Sequence, residues 1–136
     1  MIRTPRKRTT LLHAELSEVI ARLGHGDLLV IGDAGLPIPD GPRRIDLAVS
    51  ANVPRFHDVL AAVLAEMQVE GAVIAGEIAS ANPAVHADLL ERLGATPVTT
   101  VPHEQFKAAT RGARAIVRTG EFSPYANVIL RAGVVF

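Results

Sequence analysis

Leu12, Leu16, Val19, Ile20 and Leu23 recur at helical spacing, which predicts an amphipathic helix over residues 11–23. Gly24 follows and is expected to stop it in a left-handed turn. Leu28 to Ile31 is a short, continuous apolar run of the kind a buried strand shows. The Gly/Pro-rich stretch 32–42 then breaks all periodicity and reads as a restricted loop. Ile45 to Val49 predicts a second strand, and Phe56, Val59, Leu60, Val63, Leu64 and Met67 a second helix. Ala72 to Ala75 is a third strand. Asn82-Pro83 is a good helix start, with Asn as N-cap and Pro at the first helical position. That helix carries Val85, Leu89, Leu90 and Leu93, and Gly94 ends it. Val98 to Val101, Ala115 to Val117 and Val128 to Leu130 complete the strands, with a short helix over His103 to Ala109. Strands alternating with helices favour a single-domain layered α/β fold with a mainly parallel central sheet flanked by helices. Ligands of such sheets sit beyond the carboxyl ends of the strands, where Asp33 and Glu77 fall.

Composition narrows the class. The chain has 136 residues and 49% apolar residues, enough for one domain with its own core. Fourteen basic residues balance fourteen acidic ones, which argues against nucleic acid as the main ligand. Cysteine is absent, so disulfides, thiolate nucleophiles and Cys-type zinc sites are excluded. No apolar run has the ~20 residues needed to span a bilayer. Residues 1–10 carry Arg3, Arg6, Lys7 and Arg8 and no apolar stretch of signal-peptide length follows. They read as a basic, flexible, solvated extension to a domain over 11–136, and the chain as cytoplasmic.

No phosphate-binding loop, dinucleotide fingerprint, zinc helix or nucleophile elbow is present. The five histidines show no local metal-ligand spacing. His57 and His86 read as helix-face residues. His25, in Gly24-His25-Gly26-Asp27, is the better acid–base candidate, because its flanking glycines permit a sharp turn that leaves the ring accessible. The plainer alternative, and the one the residue taken alone favours, is a helix-end histidine capping carbonyls. Asp33 could orient that imidazole or hold a sugar hydroxyl. His103 divides evenly between helix capping and a second titrating group. In the segment 118–127, Tyr125 and Asn127 suit a polyol, the ring packing on C–H faces and the amide reading hydroxyls. The alternative is a long turn shaped by Pro124, with Arg118 and Glu121 paired to each other.

These segments together resemble the D-ribose pyranase family and its fucose-mutarotase relatives. The matching blocks are 23–27, 31–37, 45–47, 103–107 and 118–127, in order, with Ala132-Gly133-Val134-Val135-Phe136 closing the chain. The resemblance implies an isomerase that interconverts the pyranose and furanose forms of D-ribose. It implies His25 as proton donor, Asp33, His103, Tyr125, Ala126 and Asn127 as substrate-binding positions, and neither metal nor organic cofactor. It also implies a homo-oligomer, commonly a decamer of two stacked pentamers, with sites near subunit boundaries. The alternatives are mutarotation of L-fucose or another monosaccharide, or a non-catalytic sugar-binding subunit associated with ribose import. Gly26 and Ser123 stand where Thr is common, and Leu12-His13 where Leu-Asn is usual, which leaves the capping of the first helix in doubt.

Overall fold

The computed structural model describes residues 11–134, so the basic segment 1–10 and the last two residues lie outside it. In chain order the elements are α1 (Ala14–Arg22), β1 (Leu28–Gly32), β2 (Arg43–Asp46), α2 (Phe56–Leu64), β3 (Val69–Ala75), α3 (Ile78–Ala81), α4 (Pro83–Leu93), β4 (Val98–Val101), α5 (His103–Ala109), β5 (Ala115–Arg118) and β6 (Val128–Ala132). The strands form one sheet in the order β2-β5-β1-β6-β3-β4. β1 pairs parallel with β5, β5 with β2, and β3 with β4. Only β6 runs the other way, between β1 and β3.

Side-chain alternation divides the core into two layers. Leu29, Ile31, Ala72, Ile74, Ala115 and Val117 point to the face covered by α1, α2 and α4, where Leu16, Leu60, Val63 and Leu89 meet them. Val30, Ala75, Ile116 and Ile129 point to the other face, covered by Phe106 of α5 and by Leu36. Both faces of β1 are therefore buried, which is why its sequence reads as an unbroken apolar run. Among the described residues no helix is long and apolar enough to cross a membrane.

Several local expectations shift. α1 starts at Ala14 and His13 is its N-cap: the Nδ1 accepts the Leu16 N–H at 3.1 Å, so the histidine does what asparagine would do. The helix does not stop in a left-handed Gly24. Its C-cap, Leu23, is extended, and the positive φ of +85° belongs to Gly26. β2 lies over 43–46 rather than 45–49, because after the Leu47 N–H bonds the Arg118 carbonyl the chain leaves the sheet for a loop. Asn82 occupies the N-cap position of α4 but its side chain makes no cap bond there. Gly94, at φ +57°, ends α4 as its sequence position predicts.

Candidate functional site

The carboxyl ends of β1, β3, β4 and β5 and the amino end of β6 lie along one edge of the sheet. Asp33, Glu77, His103 and Asn127 emerge there because each borders one of those strand ends.

Asn127 is 1% exposed, and its Oδ1 accepts the Asp33 N–H at 2.8 Å. Its Nδ2 is buried and has no hydrogen-bond partner among the described residues. The close approach depends on Gly32, where a Cβ would lie 3.0 Å from that Oδ1 and 2.5 Å from Leu36. The Gly35 N–H donates to Asp33 Oδ1 at 3.0 Å. Burial still pushes the Asp33 carboxyl above its ordinary pKa, and the Gly35 amide only partly offsets it.

His103 opens α5. Its N–H, which Pro102 cannot cap, donates to both Glu77 oxygens at 3.0 Å. This contact holds the Glu77 carboxyl below its ordinary pKa. The His103 ring therefore does no capping: it stacks on Phe106 at 6.3 Å and meets the Tyr125 ring edge-on at 5.0 Å. Its Nδ1, like Asn127 Nδ2, is buried and has no partner among the described residues. Tyr125 adopts φ +58°, a conformation unfavourable for a residue with a Cβ, and this turns its ring onto His103. The Ala126 side chain is fully buried in the larger core layer, so only its backbone can face a ligand.

The loop carrying Tyr125 is fixed by a second network. Glu121, 1% exposed, accepts from the Phe56 N–H at 3.0 Å, the Ser123 hydroxyl at 2.6 Å and Arg55 at 3.1 Å. Burial acts to raise its pKa, but the Ser123, Phe56 and Arg55 contacts outweigh it and bring the carboxyl down to about 2. Arg118 is not its partner: that guanidinium binds Asp46 at 3.2 Å and the Ala34 carbonyl at 3.0 Å. The Asn82 amide donates to Ser123 Oγ and the Pro124 carbonyl, tethering the same loop. Beside Asp33 and the Glu121 loop lies an open cleft of about 390 Å³ whose lining includes Asp33, Gly35, Arg118, Phe122 and Pro124 but not His103, Tyr125 or Asn127. Arg55 and Asn82 carry no motif, and only their contacts reveal them.

His25 is not with this group. It precedes β1 while Asp33 follows it, so the strand's five residues, about 16 Å at ~3.3 Å each, separate them. Asp33 cannot orient the His25 ring of its own chain. The Asp27 N–H donates to the Gly24 carbonyl, closing a turn with His25 at its tip and Gly26 at the position needing positive φ. Nor does the ring cap a helix carbonyl: its Nε2 lies 2.8 Å from Glu70 Oε2. Among the described residues no three His, Asp or Glu side chains converge in a way that could hold a metal ion. His57 bonds Asp58 next to it on the α2 surface.

Residues 6–135 match the RbsD / FucU transport protein family. A D-ribose pyranase of Symbiobacterium thermophilum is 62% identical over 130 residues, covering 96% of this chain and 99% of that protein. One from Variovorax paradoxus is 60% identical over 132 residues, with the same coverage. The structure of Bacillus subtilis RbsD complexed with D-ribose superposes with a TM-score of 0.93 at 43% identity, covering 96% of this chain and all of the other. A fucose mutarotase from Streptococcus pneumoniae, solved with L-fucose, gives 0.72 at 27% identity over 91% and 94%.

Proposed function

This chain belongs to the RbsD / FucU transport protein family, and from that membership we propose that it is an isomerase interconverting the pyranose and furanose forms of D-ribose. The observation that carries the choice of sugar is the identity of 60–62% across nearly the whole chain with D-ribose pyranases, against 27% with the fucose mutarotase.

The chemistry needs only proton movement and positioning. The anomeric hydroxyl of the pyranose gives up a proton as the ring oxygen gains one, and the C1–O5 bond opens to an aldehyde. Rotation brings the C4 hydroxyl onto C1, where it closes the furanose, losing its proton as the carbonyl oxygen takes one. The cluster at the carboxyl edge is the binding half. Asn127 Nδ2 can donate to a sugar hydroxyl, Asp33 can accept from one, and His103 Nδ1 is free for another. Tyr125 offers a ring to the C–H face, and the Ala126 backbone lies between.

His25 is the proton donor in this reading, and its position at the opposite edge requires that it come from a second copy of the chain. General acid help of this kind is worth roughly 10²–10⁴-fold. The exposed apolar side chains Val49, Val53 and Phe122, on the loops beside the cleft, support coverage by that copy. The assembly is then a ring, two stacked pentamers in the family manner, working in the cytoplasm without cofactor.

The test is saturation-transfer NMR of ribose and fucose with the native protein and with His25→Gln. Accelerated ribose pyranose–furanose exchange, lost in the variant, is expected. No acceleration with ribose overturns the activity, faster exchange of fucose overturns the sugar, and an unaffected variant overturns the donor.

A further inference from the structure

Glu70 lies at the edge of the sheet that carries His25, and nothing in the ring chemistry above uses it. Three features of the backbone put it there. β3 pairs with β6 through Val69↔Ala132 and then Gly71↔Arg131, so the register slips at Glu70. A bulge of this kind leaves one residue unpaired and re-aims its side chain. Gly71 follows it, and a Cβ there would sit 2.9 Å from an Arg131 guanidinium nitrogen, so glycine lets that side chain lie across the strand. The His25 turn is tied to the same place, because the Gly26 N–H donates to the Ala132 carbonyl and the Ala132 N–H to the Asp27 carbonyl, both at 2.8 Å.

The result is a chain of three side chains. Arg131 Nε donates to Glu70 Oε1 at 3.1 Å, and Glu70 Oε2 faces His25 Nε2 at 2.8 Å. All three are partly exposed, with side-chain accessibilities of 55%, 34% and 61%. An ion pair so placed adds little to stability. Its geometric consequence is larger. A carboxylate can only accept, so the neutral imidazole beside it must carry its proton on Nε2. Nδ1 is then the nitrogen left to face a ligand: it donates when the ring carries both protons, and after the transfer the ring is left as this Nε2–H form with Nδ1 an acceptor.

We infer that Glu70, held by Arg131 across Gly71, is a positioning residue that fixes the orientation and tautomer of His25 and so presents Nδ1 to the sugar ring bound by the neighbouring copy. This rests on the assignment of His25 as proton donor. A His residue whose far nitrogen is fixed needs no reorientation at the moment of transfer.

The test compares Glu70→Gln, Glu70→Asp and His25→Gln in the assembled protein. Ribose exchange rates are measured against sugar concentration, and His25 ring nitrogens by 15N NMR near pH ~8, where an unperturbed imidazole is neutral. The glutamine amide can offer Nε2 either an oxygen or an NH2, so it no longer selects one tautomer. Glu70→Gln is expected to lower kcat by about tenfold, a fraction of the acid's own roughly 10²–10⁴-fold share, with KM unchanged. Its His25 spectrum moves from the Nε2–H form to a mixture, and Glu70→Asp regains part of the rate. Native kcat in Glu70→Gln, with His25→Gln inactive, overturns the role of Glu70 and leaves His25 standing. Native kcat in His25→Gln overturns the donor assignment beneath it. A rate loss in Glu70→Gln with an unchanged tautomer or an altered assembly overturns positioning in favour of packing.

Discussion

Replacing Glu121 with glutamine removes the one negative charge at the centre of the loop that carries Tyr125 and Asn127. The carboxylate receives the Phe56 amide, the Ser123 hydroxyl and the Arg55 guanidinium. Glutamine keeps the shape but can accept through only one oxygen, and it turns an NH2 toward donors. The carboxyl pKa falls from an ordinary 4.5 to about 2 in the folded chain. At ~1.4 kcal/mol per pKa unit this is at most about 3–4 kcal/mol of stability. With Arg55 half-exposed, solvent screening brings it nearer 2 kcal/mol. Because the folded pKa is the lower one, the contribution is complete above pH 4.5 and drains away as pH falls towards 2. Urea unfolding of native protein and Glu121→Gln should therefore differ by about 2 kcal/mol at neutral pH and by less than half of that near pH ~3. Subunit concentration must be fixed, since assembly contributes to apparent stability. An equal difference at both pH values would refute the electrostatic reading and leave only altered packing.

Three further outcomes follow from the binding half. Gly32→Ala places a methyl group 2.5 Å from Leu36 and 3.0 Å from Asn127, so it should cost about 1–3 kcal/mol and raise KM for ribose, as calorimetric unfolding and exchange NMR would show. Asn127→Ala leaves the Asp33 N–H without its acceptor and removes the free Nδ2, so KM should rise roughly tenfold, the worth of about one hydrogen bond; an unchanged KM would remove Asn127 from the sugar site. Tyr125 sits at φ +58°, so Tyr125→Gly should be about 1 kcal/mol more stable than Tyr125→Ala. Equal stability of the two would show that the backbone relaxes there at no cost.

The residues that form strands and helices announced themselves by period. β1, α2, α4 and the short α5 are legible because burial selects apolar side chains at fixed intervals. Element ends were less legible where polar side chains had two uses. Asn82 looks like an N-cap, yet its amide serves Ser123 and Pro124 across 41 and 42 residues. Arg118 and Glu121 look like partners, yet each finds another residue on a distant element. The candidate site residues take their proposed roles only from ordered blocks of a family. Periodicity does place Asp33, Glu77 and His103 at strand ends, but not His25 at the far edge, which follows from its turn lying before β1. Glu70 had no signal at all, since a bulge depends on how two distant strands pair and leaves no local pattern.

In the proposed assembly a working site takes His25 from one copy and Asp33 with its neighbours from another. Mixing unfolded His25→Gln and Asp33→Asn chains and refolding them together tests it directly. Each variant alone should be inactive in ribose exchange. Random co-assembly should return about one quarter of native sites, because a site then joins an intact His25 to an intact Asp33. A mixture as inactive as its components, at native assembly size, would show that His25 and Asp33 do not meet across copies.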